Sequence, residues 1–286
     1  MKFTKMHGLG NDFVLIDNLE NKIPEEDYAQ MAISLCDRHY GIGGDGLVFI
    51  LPSHNADYKM RIFNSNGSEA EMCGNGIRCF ARYIYEKFYN KKDVISVETL
   101  AGIVVPTIIA SNGKFIGVEV DMGEPRLSRN EIPMIGEDSE TVIDEKVTID
   151  GKTYEGTAVS MGNPHFVIFV DNIDDINLAE VGPLFENYYL FPEKTNTEFI
   201  QIVNRNELIM RVWERGAGET LACGTGACAS LVAGVLTGKT ERKAIVRLMG
   251  GNLSIEWQKE DNHIIMTGPA QTVFEGELHE EALVWK

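Results

Sequence analysis

The feature that most constrains this chain is that it repeats itself. Arg61-Ile62-Phe63 falls, 150 residues on, upon Arg211-Val212-Trp213. At the same offset Glu69 falls on Glu219, Phe49-Ile50 on Phe199-Ile200, and Cys73-Gly74-x-Gly76 on Cys223-Gly224-x-Gly226. With small slips the match runs further. Gly10-Asn11, followed by Phe13-Val14, resembles Gly162-Asn163, followed by Phe166-Val167, and Gly102 answers Gly251 between β-rich runs. Order and spacing agree over most of the 286 residues, so the chain reads as two copies of one α/β unit. That length is generous for one domain and comfortable for two. The expected division is 1–120, rejoined by a tail from about 275 to 286, and 121–274.

The repeat points to its own chemistry. Each copy carries a cysteine, then Gly-x-Gly, then an apolar run of helical character, Cys79 to Tyr85 in one and Ala227 to Leu236 in the other. The glycines let the backbone approach a bound group, and the first N–H groups of a helix point at whatever sits there. A thiol at that place feels the positive end of the helix dipole, which favours thiolate. Two such thiols in matching frames predict a paired site built on Cys73 and Cys223.

Between these landmarks the pattern is mixed. Phe3 to Ile16 reads as two strands around His7-Gly8-Leu9-Gly10-Asn11-Asp12, and Pro24 to Cys36 has helix signals with three acids in its first turn. Gly41-Ile42-Gly43-Gly44-Asp45-Gly46 matches the letters of a dinucleotide fingerprint. A helix precedes it and a strand follows, the reverse of what that motif needs, so it reads as a glycine turn. Lys59 to Phe63 reads as a strand into an amide-rich turn, the first cysteine helix runs to about Tyr89, and further strands follow to Val120. Residues 122–144 read as the crossing to the second unit. There Asp171 to Tyr189 is partly helical, Glu198 to Val203 and Leu208 to Trp213 are strands, and Ala244 to Phe274 is a run of strands.

Composition excludes more than it assigns. A net charge of −17 with no Lys/Arg run argues against a nucleic-acid or anionic-membrane surface. The apolar stretch in Met1 to Asp17 is too short for a signal peptide, and no stretch approaches a membrane span. Five cysteines without a CxxC pair read as reduced thiols in a cytoplasmic protein. Cys36, Cys79 and Cys228 read as small buried hydrophobes, and the cysteine spacings fit no zinc motif, so no metal is expected.

The motifs in combination resemble diaminopimelate epimerases. Those that carry the resemblance are Gly8-Leu9-Gly10-Asn11-Asp12-Phe13, Asn64-Ser65-Asn66-Gly67, Glu71-Met72-Cys73-Gly74-Asn75-Gly76-Ile77-Arg78-Cys79, Gly162-Asn163-Pro164-His165, Glu214-Arg215-Gly216-x-Gly218-Glu219-Thr220 and Ala222-Cys223-Gly224-Thr225-Gly226. The resemblance runs essentially end to end. It implies an α+β fold of two pseudo-symmetric domains, each a strongly curved, mainly antiparallel sheet wrapped around a central helix, with the site in the cleft between. It implies interconversion of LL- and meso-2,6-diaminopimelate without pyridoxal phosphate or any other cofactor, for lysine and peptidoglycan precursors, by a cytoplasmic homodimer.

Carried over residue by residue, the resemblance makes Cys73 and Cys223 the acid–base pair, with Cys73 taking the proton from the LL isomer. It assigns His165 and Glu214 to assisting proton movement, with Glu214 also facing the α-ammonium. Asn11, Asn64, Asn163, Asn196 and Arg215 would hold the polar ends of the substrate. N–H groups near Gly74-Asn75 and Gly224-Thr225 would receive the α-carboxylate. Some relatives carry a glutamine where this chain has Gly46, which removes one contact and leaves the pair intact. The chemistry accounts for the duplication independently, because inverting a carbon needs a proton removed from one face and another delivered to the opposite face.

Blander readings stand beside these. His165 could be a structural hydrogen-bonding histidine, Glu214 and Arg215 a solvated ion pair, and Asn64 and Asn66 simple turn formers. Rival functions are a proline racemase-like two-cysteine enzyme, a non-catalytic binding module or phenazine-type isomerase relative, and a thiol–disulfide oxidoreductase. The Asn/Arg set favours a substrate with a distal amino-acid end over a small ring.

Overall fold

A computed structural model describes residues 1–88, 92–137 and 141–279. The chain forms two compact units, Met1–Val120 rejoined by the chain from Gly268 onward, and Asp121–Thr267.

In the first unit β1 (Lys2–Gly8) and β2 (Asn11–Asp17) make a hairpin, followed by α1 (Tyr28–Cys36), β3 (Gly46–Leu51), β4 (Tyr58–Asn64), β5 (Glu69–Ala70) and α2 (Gly74–Lys87). Then come β6 (Val97–Thr99), β7 (Gly102–Val104), β8 (Thr107–Ser111) and β9 (Lys114–Asp121). The second unit runs β10 (Val142–Ile149), β11 (Lys152–Ser160), β12 (Pro164–Val170), α3 (Leu178–Glu186), β13 (Asn196–Asn204) and β14 (Glu207–Glu214). It ends with β15 (Gly218–Glu219), α4 (Gly224–Leu236), β16 (Lys243–Leu248), β17 (Gly251–Trp257) and β18 (Ile264–Gly268). A last strand, β19 (Gln271–Glu277), returns to pair antiparallel with β1. That pairing places 268–274 with the first unit, where the run of β-forming residues had suggested the second.

The two units share one wiring. β2 and β3 are parallel across α1, as β12 and β13 are across α3. β4 and β6 are parallel across α2, as β14 and β16 are across α4. Within each unit the other strand pairs are antiparallel. Register follows the offset too. Phe49 faces Arg61 and Phe199 faces Arg211; Phe63 faces Glu69 and Trp213 faces Glu219. Even the ion pairs repeat, Arg61 Nε to Glu69 at 2.6 Å and Arg211 Nε to Glu219 at 2.8 Å.

The register corrects one sequence alignment. Phe13 pairs with Gly46 and His165 with Asn196, and Gly46 and Asn196 are equivalent positions. Phe13 therefore answers His165 rather than Phe166, while Asn11 still answers Asn163.

Each unit is built round one helix. α4 packs against β11, β12, β13, β14, β16 and β17. Six strands at about 4.8 Å spacing are wider than the roughly 10 Å of a helix, so the sheet must curve around it. The sequence of α4 allows this: from Gly224 to Gly234 almost every residue is buried, and most are Gly, Ala, Ser or Cys. α2 packs likewise against β1, β2, β3, β4, β8 and β19. α1 covers β3 and β4 as well, with Tyr28 stacked on Phe49 at 3.9 Å. Covered on both faces, β3 (GLVFIL) is buried at every position, which is why it reads as a continuous apolar run.

The expected helix from Pro24 begins only at Tyr28, after a 3-10 turn over Glu25–Asp27. Gly41 to Gly44 fold back on the end of α1, their N–H groups bonded to the carbonyls of Asp37, Leu35 and Cys36, before Gly46 opens β3. The expected end of the cysteine helix near Tyr89 lies outside the described residues, and α2 closes at Lys87.

Candidate active site

In both units the cysteine is the residue that caps a central helix. Cys73 is extended (φ −143°, ψ 119°), and its sulfur accepts from the Gly76 N–H at 3.4 Å. Cys223 is extended too (φ −122°, ψ 112°), and its sulfur accepts from the Gly226 N–H at 3.3 Å. A side chain at this position satisfies one of the helix's unpaired donors, so the sulfur is held against the positive end of the dipole. Gly76 and Gly226 make the close approach possible, because a Cβ would lie 3.4 Å from the Cys73 Cβ and 3.2 Å from the Cys223 sulfur. The N–H groups of Gly74, Asn75, Gly224 and Thr225 open the two helices, outside the internal ladders.

Around Cys73, which is half-buried, the structure gathers amides. The thiol donates to Asn11 Oδ1 at 3.8 Å, and Asn75 Nδ2 donates to the same oxygen at 3.0 Å. Asn11 Nδ2 is turned the other way, onto Asp45 Oδ2 at 2.8 Å. Behind it Arg38 bridges Asp12 at 2.7 Å and Asp45 at 2.8 Å, and Lys5 meets Asp12 at 2.6 Å. Burial works against the charge on Asp12, but the bonds from Arg38 and Lys5 prevail and hold it down at about 2. Asn64 stands at the end of β4 opposite Gly46, its amide donating to Ser68 at 2.9 Å. Gly46 is tightly enclosed, since a Cβ there would lie 2.9 Å from the Phe63 carbonyl.

Around buried Cys223 the groups are acidic and imidazole. Its sulfur is 3.5 Å from Thr225 Oγ1, to which Asn163 Nδ2 donates at 3.4 Å. Asn163 Oδ1 meets His165 Nε2 at 3.1 Å, and His165 Nδ1 meets Glu198 Oε1 at 2.7 Å, with neither side chain of that pair exposed. Glu214, bonded by Thr220, is raised by burial, an effect that bonds from Thr220 and Cys223 only partly offset. Burial also pushes the Cys223 thiol well up, and the charges of Glu214 and Glu198 push it further. Both effects favour the protonated form of Cys223. Cys36 and Cys79 are pushed up to about 12 by burial, which makes them poor nucleophiles.

Two expected substrate contacts sit differently from the rest. Asn196 is buried with its amide committed at both ends, donating to the Pro164 carbonyl at 2.8 Å and accepting from the Arg215 N–H at 2.9 Å. It thereby fixes the start of the loop that carries Arg215. The Arg215 guanidinium is solvent-facing and bonded to the Glu193 carbonyl at 2.8 Å. Glu198 and Asp45 were not legible as site residues; one clamps His165 and the other orients Asn11. Among the described residues, no three His, Cys, Asp or Glu side chains are placed to hold a metal ion.

The sequence matches the family model described as diaminopimelate epimerase over residues 3–128 and 157–273. A diaminopimelate epimerase of Moorella thermoacetica is 56% identical over 278 residues, covering 97% of this chain and 99% of the relative. One from Desulfitobacterium hafniense is 54% identical over 284 residues, covering 99% of this chain and 100% of the relative. Among solved structures, a phenazine biosynthesis protein of the PhzF family from Bacillus anthracis superposes with a TM-score of 0.71 at 19% identity, covering 98% of this chain and 99% of that one. A hydroxyproline epimerase from Agrobacterium vitis does so with a TM-score of 0.68 at 13% identity, covering 97% and 90%. These two likenesses show the fold.

Proposed function

The chain belongs to the diaminopimelate epimerase family, a family of isomerases, and on that premise we propose that it interconverts LL- and meso-2,6-diaminopimelate through two thiols, Cys73 and Cys223, each serving one face of the α-carbon. The observation that carries the reading is the matched capping geometry: two sulfurs in equivalent frames, each at the head of a central helix.

One thiolate removes the α-proton while the other thiol delivers a proton from the opposite side, and the roles exchange in reverse. The upward shift of the Cys223 thiol suits it to be the donor when Cys73 is the base, the direction that starts from the LL isomer. Charge that develops at the α-carbon spreads into the α-carboxylate, which the N–H groups of Gly74, Asn75, Gly224 and Thr225 are fit to receive. Asn11 orients the Cys73 thiol directly, itself held by Asn75, and its equivalent Asn163 reaches Cys223 through Thr225. His165 and Glu214 assist at Cys223. Asn64, Asn196 and Arg215 hold the polar ends, Asn196 through its grip on the Arg215 backbone.

The same reading takes the enzyme to be a cytoplasmic homodimer that needs no cofactor and binds neither nucleic acid nor membrane. The net charge of −17 supports only the part of this reading that concerns nucleic acid and anionic membranes, and no helix among the described residues is long and apolar enough to cross a membrane.

The test is deuterium incorporation at the α-carbon of LL-diaminopimelate in heavy water, with proline as control. Exchange with the first substrate alone is expected. Cys73→Ala or Cys223→Ala is expected to lower turnover by about a thousandfold or more, the scale of a lost acid–base group. A single variant that keeps a tenth of the activity overturns the two-thiol scheme.

A further inference from the structure

One of the largest side chains with no exposed surface is a cation, Arg78 in α2. Its position is unfavourable on two counts. Burial strips water from the guanidinium, and near the start of a helix a positive charge opposes the dipole. The chain meets these costs with specific bonds. Nη1 donates to the Gly74 carbonyl at 2.9 Å, Nη2 to Asn75 Oδ1 at 2.8 Å, and Nε to the Pro269 carbonyl at 3.1 Å. At the equivalent place in α4 stands Cys228, buried and without charge. The repeat is thus broken one turn below the first sulfur.

We propose that Arg78 is a positioning residue of the Cys73 half-site, holding Asn75 against Asn11 and setting a permanent positive charge in the first turns of α2 that favours ionisation of Cys73. The proposal rests on the reading of Cys73 as an acid–base group. Its geometry is a short row within one unit: Arg78 to Asn75 Oδ1, Asn75 Nδ2 to Asn11 Oδ1, and Asn11 Oδ1 to the sulfur. The Asn11 oxygen, as acceptor, favours the thiol, whereas the Gly76 N–H favours the thiolate, and on this proposal the guanidinium tips the balance towards the latter. The other charged and titratable groups on this side are Asp45 behind Asn11, with Asp12, Arg38 and Lys5 paired around it, the exposed Glu71 two residues before the sulfur, His7 on β1 and the buried Cys79. Against Cys223 the corresponding charges are the carboxylates of Glu214 and Glu198. The two half-sites share a scaffold and differ in the charged groups built into it.

The test is the pH dependence of iodoacetamide alkylation at Cys73 and at Cys223, read by peptide mass spectrometry on the full chain. In the unmodified enzyme Cys73 is expected to titrate at a lower pH than Cys223; the reverse order overturns the proposal without any variant. In Arg78→Gln, with folding checked by circular dichroism, the Cys73 midpoint is expected to rise by about one pH unit, a tenfold loss of thiolate at neutral pH. The Cys223 midpoint should stay in place. Arg78→Lys should restore the midpoint, because it returns the charge, while kcat recovers only in part because the fork is lost. A folded Arg78→Gln with an unmoved Cys73 midpoint overturns the proposal. Alkylation needs no substrate, so absence of α-deuterium exchange in the unmodified enzyme would defeat the functional reading and leave this measurement standing.

Discussion

The two half-sites differ in how they would receive a methyl group at Gly76 and at Gly226. At Gly226 a Cβ would lie 2.6 Å from Glu198 Oε1 and 3.2 Å from the Cys223 sulfur, and Glu198 cannot withdraw because it is clamped on His165 at 2.7 Å. At Gly76 the nearest atom is the end of the Ile62 side chain at 3.0 Å, which can rotate away. Gly226→Ala is therefore expected to lose about 2 kcal/mol of stability, the scale of an overpacked core, in addition to activity. Gly76→Ala gains helix propensity worth about 1 kcal/mol, which offsets its smaller clash and leaves stability nearly unchanged. Urea unfolding of both variants checks this; equal losses would show that the buried acid is not what limits position 226. The cysteines were legible because a capping thiol leaves a local signature, a Gly-x-Gly before an apolar run. Glu198, Asp45 and Arg78 were not, because each acts on a residue far along the chain. The available signal lay in comparing the copies: Glu198 stands where the first unit has Val48, and Arg78 where the second has Cys228. Polarity mismatches between otherwise matched repeats mark where the chemistry sits.

The elements show why some of the fold could be read and some could not. Long strands with both faces covered, such as β3, announce themselves as apolar runs. β5 and β15 are two residues each, too short for any periodicity, yet their pairing returns the chain from β4 and β14 toward the capping cysteines. The start of α1 was misplaced by the acids at 25–27, which form a 3-10 turn because the first full helical bonds arise only from Tyr28. α4 was found as a helix, but its having no polar face follows from a sheet that curves around it. That enclosure makes its side chains costly to truncate. Leu231, fully buried in mid-helix, is expected to cost about 3 kcal/mol on change to Ala, through lost transfer energy and a cavity the surrounding strands cannot close. Ile245 on β16, more than a third exposed, should cost under about 1 kcal/mol for the same change. The comparison is a pair of urea midpoints at an unchanged slope; similar losses would mean that α4 is not packed on all sides.

At the scale of the molecule, charge pulls stability in two directions. With a net charge of −17, protonating scattered surface carboxylates relieves self-repulsion, so mild acid should first stabilise the fold. Opposing this is Asp12, which lies next to Asn11 in the first unit and is held at about 2 by Arg38 and Lys5. A carboxylate whose folded value lies below its unfolded one contributes stability above the unfolded value, near 4, and loses it as pH falls through the folded value. A displacement from 3.8 to about 2 corresponds to about 2 kcal/mol for a side chain only 17% exposed. Asp12→Asn isolates this contribution because it leaves nearly all of the surface charge in place. The variant is expected to be less stable by about 2 kcal/mol at pH 7, with the gap closing between pH 4 and pH 2 as the native carboxylate protonates. Thermal unfolding of both proteins across that range is the measurement. A gap that stays constant down to pH 2 would assign the role of Asp12 to shape and hydrogen bonding rather than charge. A gap that closes would show that the network behind Asn11, and with it the setting of the Cys73 half-site, is held by an ion pair that acid can dissolve.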